Sequence, residues 1–218
     1  MRIALALSVS AFVSLSSLPA LAQEPPSFTA GIGVASGSVF PDQAFTLSDG
    51  PVLEADAEAC TGTGWCVSLF TVQSGEEGAY ENDFVVSYAH EAGPLTLGYA
   101  AGYFQVAGED ILSATGSASV AVSDALSVTA SYEAMTGGLE TRVSKLSGTY
   151  ERAVTDRWTV DLTLAVGHDT SIDAVVASMD AGVTYALTDT LGIRFFGTGY
   201  ESSVGSDAVF GASFRVSW

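Results

Sequence analysis

Phe210-Gly211-Ala212-Ser213-Phe214-Arg215-Val216-Ser217-Trp218 closes the chain, and its alternation decides the fold. Successive side chains of a strand point to opposite faces. Phe210, Ala212, Phe214, Val216 and Trp218 therefore share one face, and Gly211, Ser213, Arg215 and Ser217 share the other. One side is apolar, the other small or polar, and the last residue is aromatic.

The same two-sided ribbon recurs upstream. Trp158, Val160, Leu162, Leu164 and Val166 alternate with Thr159, Asp161, Thr163, Ala165 and Gly167. Leu95, Leu97, Tyr99 and Tyr103 alternate with Thr96, Gly98, Ala100, Gly102 and Phe104. A soluble barrel would carry Lys, Glu and Gln on its wetted face. Ser, Thr, Gly and Ala there suit a crowded polar interior with the apolar face turned to lipid. A last strand ending in an aromatic residue resembles the closing strand of bacterial outer-membrane β-barrels. That resemblance implies that Phe214, Val216 and Trp218 form the signal read by the barrel-insertion machinery.

The turns repeat. Val122-Ser123-Asp124-Ala125-Leu126, Val154-Thr155-Asp156-Arg157-Trp158 and Leu187-Thr188-Asp189-Thr190-Leu191 share one pattern, with aspartates 32 and 33 residues apart. Glu91-Ala92-Gly93-Pro94 and the Cys60–Cys66 loop continue the period towards the N-terminus. Two strands of about ten residues plus two connections fill such a period in a membrane barrel. The spacing predicts an all-β, antiparallel up-and-down barrel of twelve strands, with ten as the alternative. The strands are expected near 28–38, 51–59, 65–73, 83–91, 94–105, 111–122, 125–135, 141–154, 158–168, 173–187, 191–200 and 208–217. Gly/Asp/Glu/Ser-rich connections such as Pro41–Gly50 are expected to be the longer ones, at the opposite end from the repeating turns. An even count puts both termini on one side, expected to be periplasmic. Trp65, Tyr88, Tyr150, Trp158, Tyr185 and Trp218 should form one interfacial girdle, and Phe40, Tyr80, Phe84, Tyr103, Tyr132, Phe195 and Phe210 the other.

Residues 1–22 read as a cleaved signal peptide: Arg2, an apolar run from Ile3 to Leu15, and a small-x-small site at Ala20-Leu21-Ala22. Residues 23–218 are then a single barrel domain. Seven Lys+Arg against 25 Asp+Glu give a net charge of −18. That excludes the basic footprint a nucleic-acid partner needs. The expected partners are outer-membrane lipids, lipopolysaccharide and the insertion machinery, with homo-oligomerisation left open. Cys60 and Cys66 are expected to form a disulfide in an oxidising compartment. No HExxH, phosphate-binding glycine loop or EF-hand loop is present, so neither a metal nor a cofactor is expected.

With the apolar faces outward, Glu133, Lys145, Glu151, Asp161, Asp180, Arg194 and Arg215 point into the lumen. Charges in a pore wall set its selectivity. These are the candidates for a channel passing small hydrophilic solutes, with a weak preference for cations. The alternative is that they pair across the interior and brace a non-conducting structural or adhesive barrel. A third possibility is a rim hydrolase, since His168-Asp169-Thr170-Ser171 sets a His beside an acid and hydroxyls. The chain is read as a non-enzyme. Glu81-Asn82-Asp83-Phe84-Val85-Val86-Ser87-Tyr88 followed by Gly93-Pro94-Leu95-Thr96-Leu97-Gly98-Tyr99 resembles the TorF-type porins. The resemblance implies an outer-membrane location and a pore, and no ligand.

Overall fold

The structure, a computed structural model, describes residues 25–75 and 78–218. The proposed signal peptide, residues 1–22, lies outside the described residues. Alternation drives nearly everything else into strands: β1 (Ser27–Ala35), β2 (Ser38–Phe40), β3 (Phe45–Ser48), β4 (Val52–Cys60), β5 (Trp65–Ser74), β6 (Tyr80–Ala92) and β7 (Leu95–Val106). They continue as β8 (Glu109–Ser123), β9 (Leu126–Gly137), β10 (Thr141–Ala153), β11 (Trp158–Asp169), β12 (Ala174–Ala186), β13 (Leu191–Ser202) and β14 (Ser206–Ser217). β1 and β4 to β14 form one closed, twelve-strand antiparallel barrel, each strand bonded to its neighbours. Among the described residues, no helix is long and apolar enough to cross a membrane, which says nothing against strands doing so.

β14 closes the barrel on β1, with Phe214 opposite Ile32 and Arg215 opposite Gly31. Phe28 and Trp218 exchange both backbone hydrogen bonds, at 3.1 and 2.9 Å. Closure removes the open edges that would be costly in lipid. β1 begins and β14 ends at one mouth, here called the terminal end; the other is the loop end.

At the terminal end the repeating turns are held by their hydroxyls. Thr155 Oγ1 accepts from the Arg157 and Trp158 amides at 3.2 and 3.1 Å. Thr188 Oγ1 does the same for Thr190 and Leu191, and Ser123 Oγ accepts from Ala125. Side-chain capping of this kind is why Ser and Thr recur in turns.

The expected contrast between short turns and long loops reduces to a single connection. The strands run further than their sequence signal, so β7 and β8 are joined by Ala107-Gly108 alone. Both have positive φ, 49° and 88°, as a type I′ hairpin demands. Only residues 36–51 make a long connection, and they carry secondary structure of their own. β2 and β3 pair with each other through a 3-10 turn at Pro41–Gln43, outside the barrel sheet. Ala44, in the left-handed region at φ 52°, reverses the chain.

The outward face is apolar and exposed all round: Leu146 and Leu164 at mid-wall are each 52% accessible. An apolar belt this continuous is a surface for acyl chains, not for water. Outward aromatic pairs ring the terminal end: Phe28 with Trp218, Trp65 with Tyr88, and Trp158 with Tyr185, centroids 4.7–5.1 Å apart. Phe84, Tyr103, Tyr132, Phe195 and Phe210 are exposed nearer the loop end. Phe40 is not among them. It is 4% accessible and lies inside the barrel, for a reason the lumen makes clear.

Candidate functional site

The inside of the barrel divides in two. Its terminal half is lined by hydroxyls and acids. Ser119 and Thr129 bond at 2.8 Å, Thr149 and Thr163 at 3.1 Å, and Ser68 donates to Glu58 at 2.9 Å. Its loop half is lined by apolar side chains, among them Val72, Val106 and Ile111, all at 0% accessibility. An apolar collar cannot hold water well, and here the β2–β3 hairpin fills it.

Phe40 stacks on Phe45 with centroids 5.7 Å apart. Phe40 is buried with Val85, Phe104, Val106, Ile111, Met135 and Leu139, and Phe45 and Leu47 pack against them. Leu47 also packs against a second cluster, Ala35, Val52 and Val72. Polar anchors surround this apolar wedge. Asp42 pairs with Lys145 and accepts from Ser178 Oγ at 3.2 Å. Thr46 Oγ1 donates to Asp207 at 2.6 Å, and Ser48 and Ser74 hydroxyls meet at 2.9 Å. Phe40 fits an outer girdle by sequence alone, because periodicity cannot tell an apolar side chain facing lipid from one filling a lumen.

All seven candidate lumen residues point inward. Glu151 opposes Asp161 across β10 and β11. Arg194 Nη2 donates to Asp161 Oδ2 at 2.5 Å and to Asp180 Oδ1 at 2.6 Å, tying β13 to β11 and β12. It reaches Asp161 by lying across Gly182, where a Cβ would come within 2.5–2.7 Å of the guanidinium. The Phe196 ring lies 5.4 Å below its Cζ, a cation–π distance. Lys145 is held by Asp42 of the hairpin, with Glu133 beside the Ser113 and Thr115 hydroxyls. Arg215, exposed, is the cross-strand partner of Gly31 near the terminal mouth.

Sequence reasoning passed over several lumen acids. Glu54, Asp56 and Glu58 form a ladder up the inward face of β4, and Asp56 leans on Gly31 of β1. Glu81 and Asp83 are buried on the inward face of β6. Asp42 of the hairpin and Asp207 of β14 are lumen acids too. The signal was present, since these acids alternate with Leu53, Ala55, Ala57, Asn82 and Phe84. The outward face of β4 is mostly alanine, however, and alanine marks a lipid face weakly.

The rim residues do not assemble. Asp169 is buried and accepts from Thr141 Oγ1 and Ser171 Oγ at 2.5 and 2.7 Å. His168 points outward, on the opposite face, with Asp173 at 3.4 Å. Among the described residues, no Ser–His hydrogen bond of the kind an acyl transfer uses is formed. Cys60 and Cys66 are bonded across the first terminal-end turn, Cα–Cα 4.1 Å, so beside Glu58 they offer no thiolate to a metal.

No family model matches this chain, and no curated protein matches it by sequence. Solved structures do share its fold. The KdgM porin, also solved in complex with disordered oligogalacturonate, aligns with a TM-score of 0.62 at 11% identity over 88% of this chain and 99% of its own. The NanC porin gives 0.59 at 11% over 87% and 98%. The COG4313 outer membrane channel from Pseudomonas putida F1 gives 0.53 at 8% over 94% and 98%. The likeness runs nearly end to end, and at these identities it is a likeness of fold.

Proposed function

We propose that this chain is a porin-like channel of the bacterial outer membrane for passive diffusion of small hydrophilic solutes, with both termini periplasmic. The observation that carries the reading is the inversion of the barrel: apolar and exposed outside, hydroxyl- and acid-lined in the terminal half of its interior. The end-to-end fold likeness to two porins and a channel supports it, as does the resemblance of Glu81–Tyr99 to the TorF-type porins. Lipid, lipopolysaccharide and the insertion machinery, reading Phe214, Val216 and Trp218, are the corresponding partners, and protomers can associate through the apolar belt.

The proposed preference is for cations. Lys145, Arg194 and Arg215 are outnumbered by inward carboxylates, and Lys145 and Arg194 are already neutralised by Asp42, Asp161 and Asp180. An oligogalacturonate is a polyanion, and the β4 ladder would repel one. That ligand of the KdgM porin is therefore not carried over to this chain.

The filled loop half favours a second reading, a barrel that does not conduct. Planar-bilayer recording separates the two, using the intact chain and a variant with residues 37–50 replaced by a short Gly/Ser turn. The channel reading expects small, intermittent currents from the intact chain and a larger, steady conductance from the variant. The reversal potential should favour cations and fade as salt screens the lumen beyond a Debye length of about 10 Å at 0.1 M. A silent variant, or clear anion selectivity, would sink it.

A further inference from the structure

Glu81 is an ionisable side chain enclosed without a partner. It is 1% accessible, and neither of its carboxylate oxygens receives a hydrogen bond. On one row of the wall it sits between Val72 and Val106, both fully buried. These belong to the two apolar clusters that Leu47 of the hairpin bridges, so the hairpin roofs the row. Asp83 follows two residues on, on the same inward face, its carboxyl within hydrogen-bonding reach of that of Glu81. Asp83 Oδ1 is likewise enclosed without a partner. Glu54, on the same row beyond Val72, adds a third negative group. Among the described residues, no Lys, Arg or His forms an ion pair with Glu81 or Asp83.

Two enclosed carboxylates facing each other without a donor cost several kcal/mol unless a cation or a shared proton sits between them. Arg194 and Lys145 cannot serve, being held by Asp161, Asp180 and Asp42. We propose that Glu81 and Asp83 bind one hard divalent cation, of the Mg²⁺ or Ca²⁺ kind, at the seam between wall and hairpin. The two carboxylates offer four oxygens, the ligand type such ions prefer. Asp83, 7% accessible against 1% for Glu81, is the more open of the two carboxylates, and the ion and the water for its remaining coordination enter on its side. Bound there, the ion removes the repulsion beneath the hairpin and fastens it in place.

The site does not depend on the channel reading, and its test reads no current. The refolded barrel in detergent, stripped with chelator, is titrated with Ca²⁺ and with Mg²⁺ by calorimetry. One ion per barrel is expected, with affinity in the roughly 0.1–1 mM range of extracellular sites. Glu81→Gln and Asp83→Asn should each weaken binding by roughly tenfold or more, while Asp124→Asn, in a turn at the far mouth, should not. Heat-shifted migration on SDS gels verifies that each variant is folded; should one fail to fold, the other carries the test. In a separate Val39→Cys variant, the ion should slow labelling of the buried hairpin thiol by a membrane-impermeant maleimide, and chelator should speed it. No saturable binding would show that the pair shares a proton only. Affinity unchanged from the parent in both carboxylate variants, or several weak ions displaced together by NaCl, would also overturn the site.

Discussion

Arg194 shows how one side chain can organise a wall. It is 13% accessible and satisfies two carboxylates that would otherwise be stranded. Removing one partner of a buried ion pair typically costs about 3–5 kcal/mol, because the other charge remains in a poor solvent. Arg194→Leu should lower the unfolding free energy of the barrel, read from urea titration, by an amount in that range. Arg194→Lys should lose less, since an ammonium keeps the charge but cannot fork between Asp161 and Asp180. The sequence made this cluster partly legible. Phase alone put Asp161, Asp180 and Arg194 on the inward face, and strand pairing put them near one another. It could not show that Gly182 clears the path for the guanidinium, because that requires knowing which residue lies across the strand. Phe40 and Glu81 were illegible for a related reason. Their environment is set by a segment of chain that folds into the barrel from far along the wall.

At the scale of elements, the twelve wall strands are legible because each alternates, with an apolar face that lipid selects along its length and a small or polar face over the terminal half of the lumen. The β2–β3 hairpin follows no such rule. Its apolar residues, Val39, Phe40, Phe45 and Leu47, are divided by Pro41 and Asp42, and the local pattern reads as a loop. What makes it a hairpin is the apolar collar it enters, a tertiary cause that local propensity does not carry. The turn between β4 and β5 is a different case, since Cys60 and Cys66 close it covalently. A loop this short restricts the unfolded chain only modestly, by about 2 kcal/mol in the chain-entropy view. Thr61 also closes the turn, its backbone N–H donating to the Trp65 carbonyl at 2.7 Å. Cys60→Ser with Cys66→Ser should therefore still fold, with a loss of about 2 kcal/mol or less by urea titration. Failure to fold would mean that the staple acts during assembly and not only in the finished barrel.

For the molecule as a whole, the two mouths differ in kind. The terminal mouth opens onto charge and hydroxyls, and the loop mouth onto a filled apolar collar. The division of labour is also a division along the chain: the wall is built by every strand, whereas the filling comes from one connection, residues 36–51. The channel and the closed-barrel readings therefore turn on that single insertion, and the wall is common to both.

The seam where Phe28 meets Trp218 has a consequence of another sort. The N-terminal and C-terminal strands are bonded neighbours, no less than any hairpin in the wall, so the chain is a ring that happens to be cut at one place. A cut elsewhere should serve as well. A circular permutant that joins residue 218 to residue 28 through a short linker and opens at Gly205, in an exposed turn, should give the same barrel. Its heat-shifted migration and β-rich circular dichroism would match those of the parent, with the new ends at the opposite mouth.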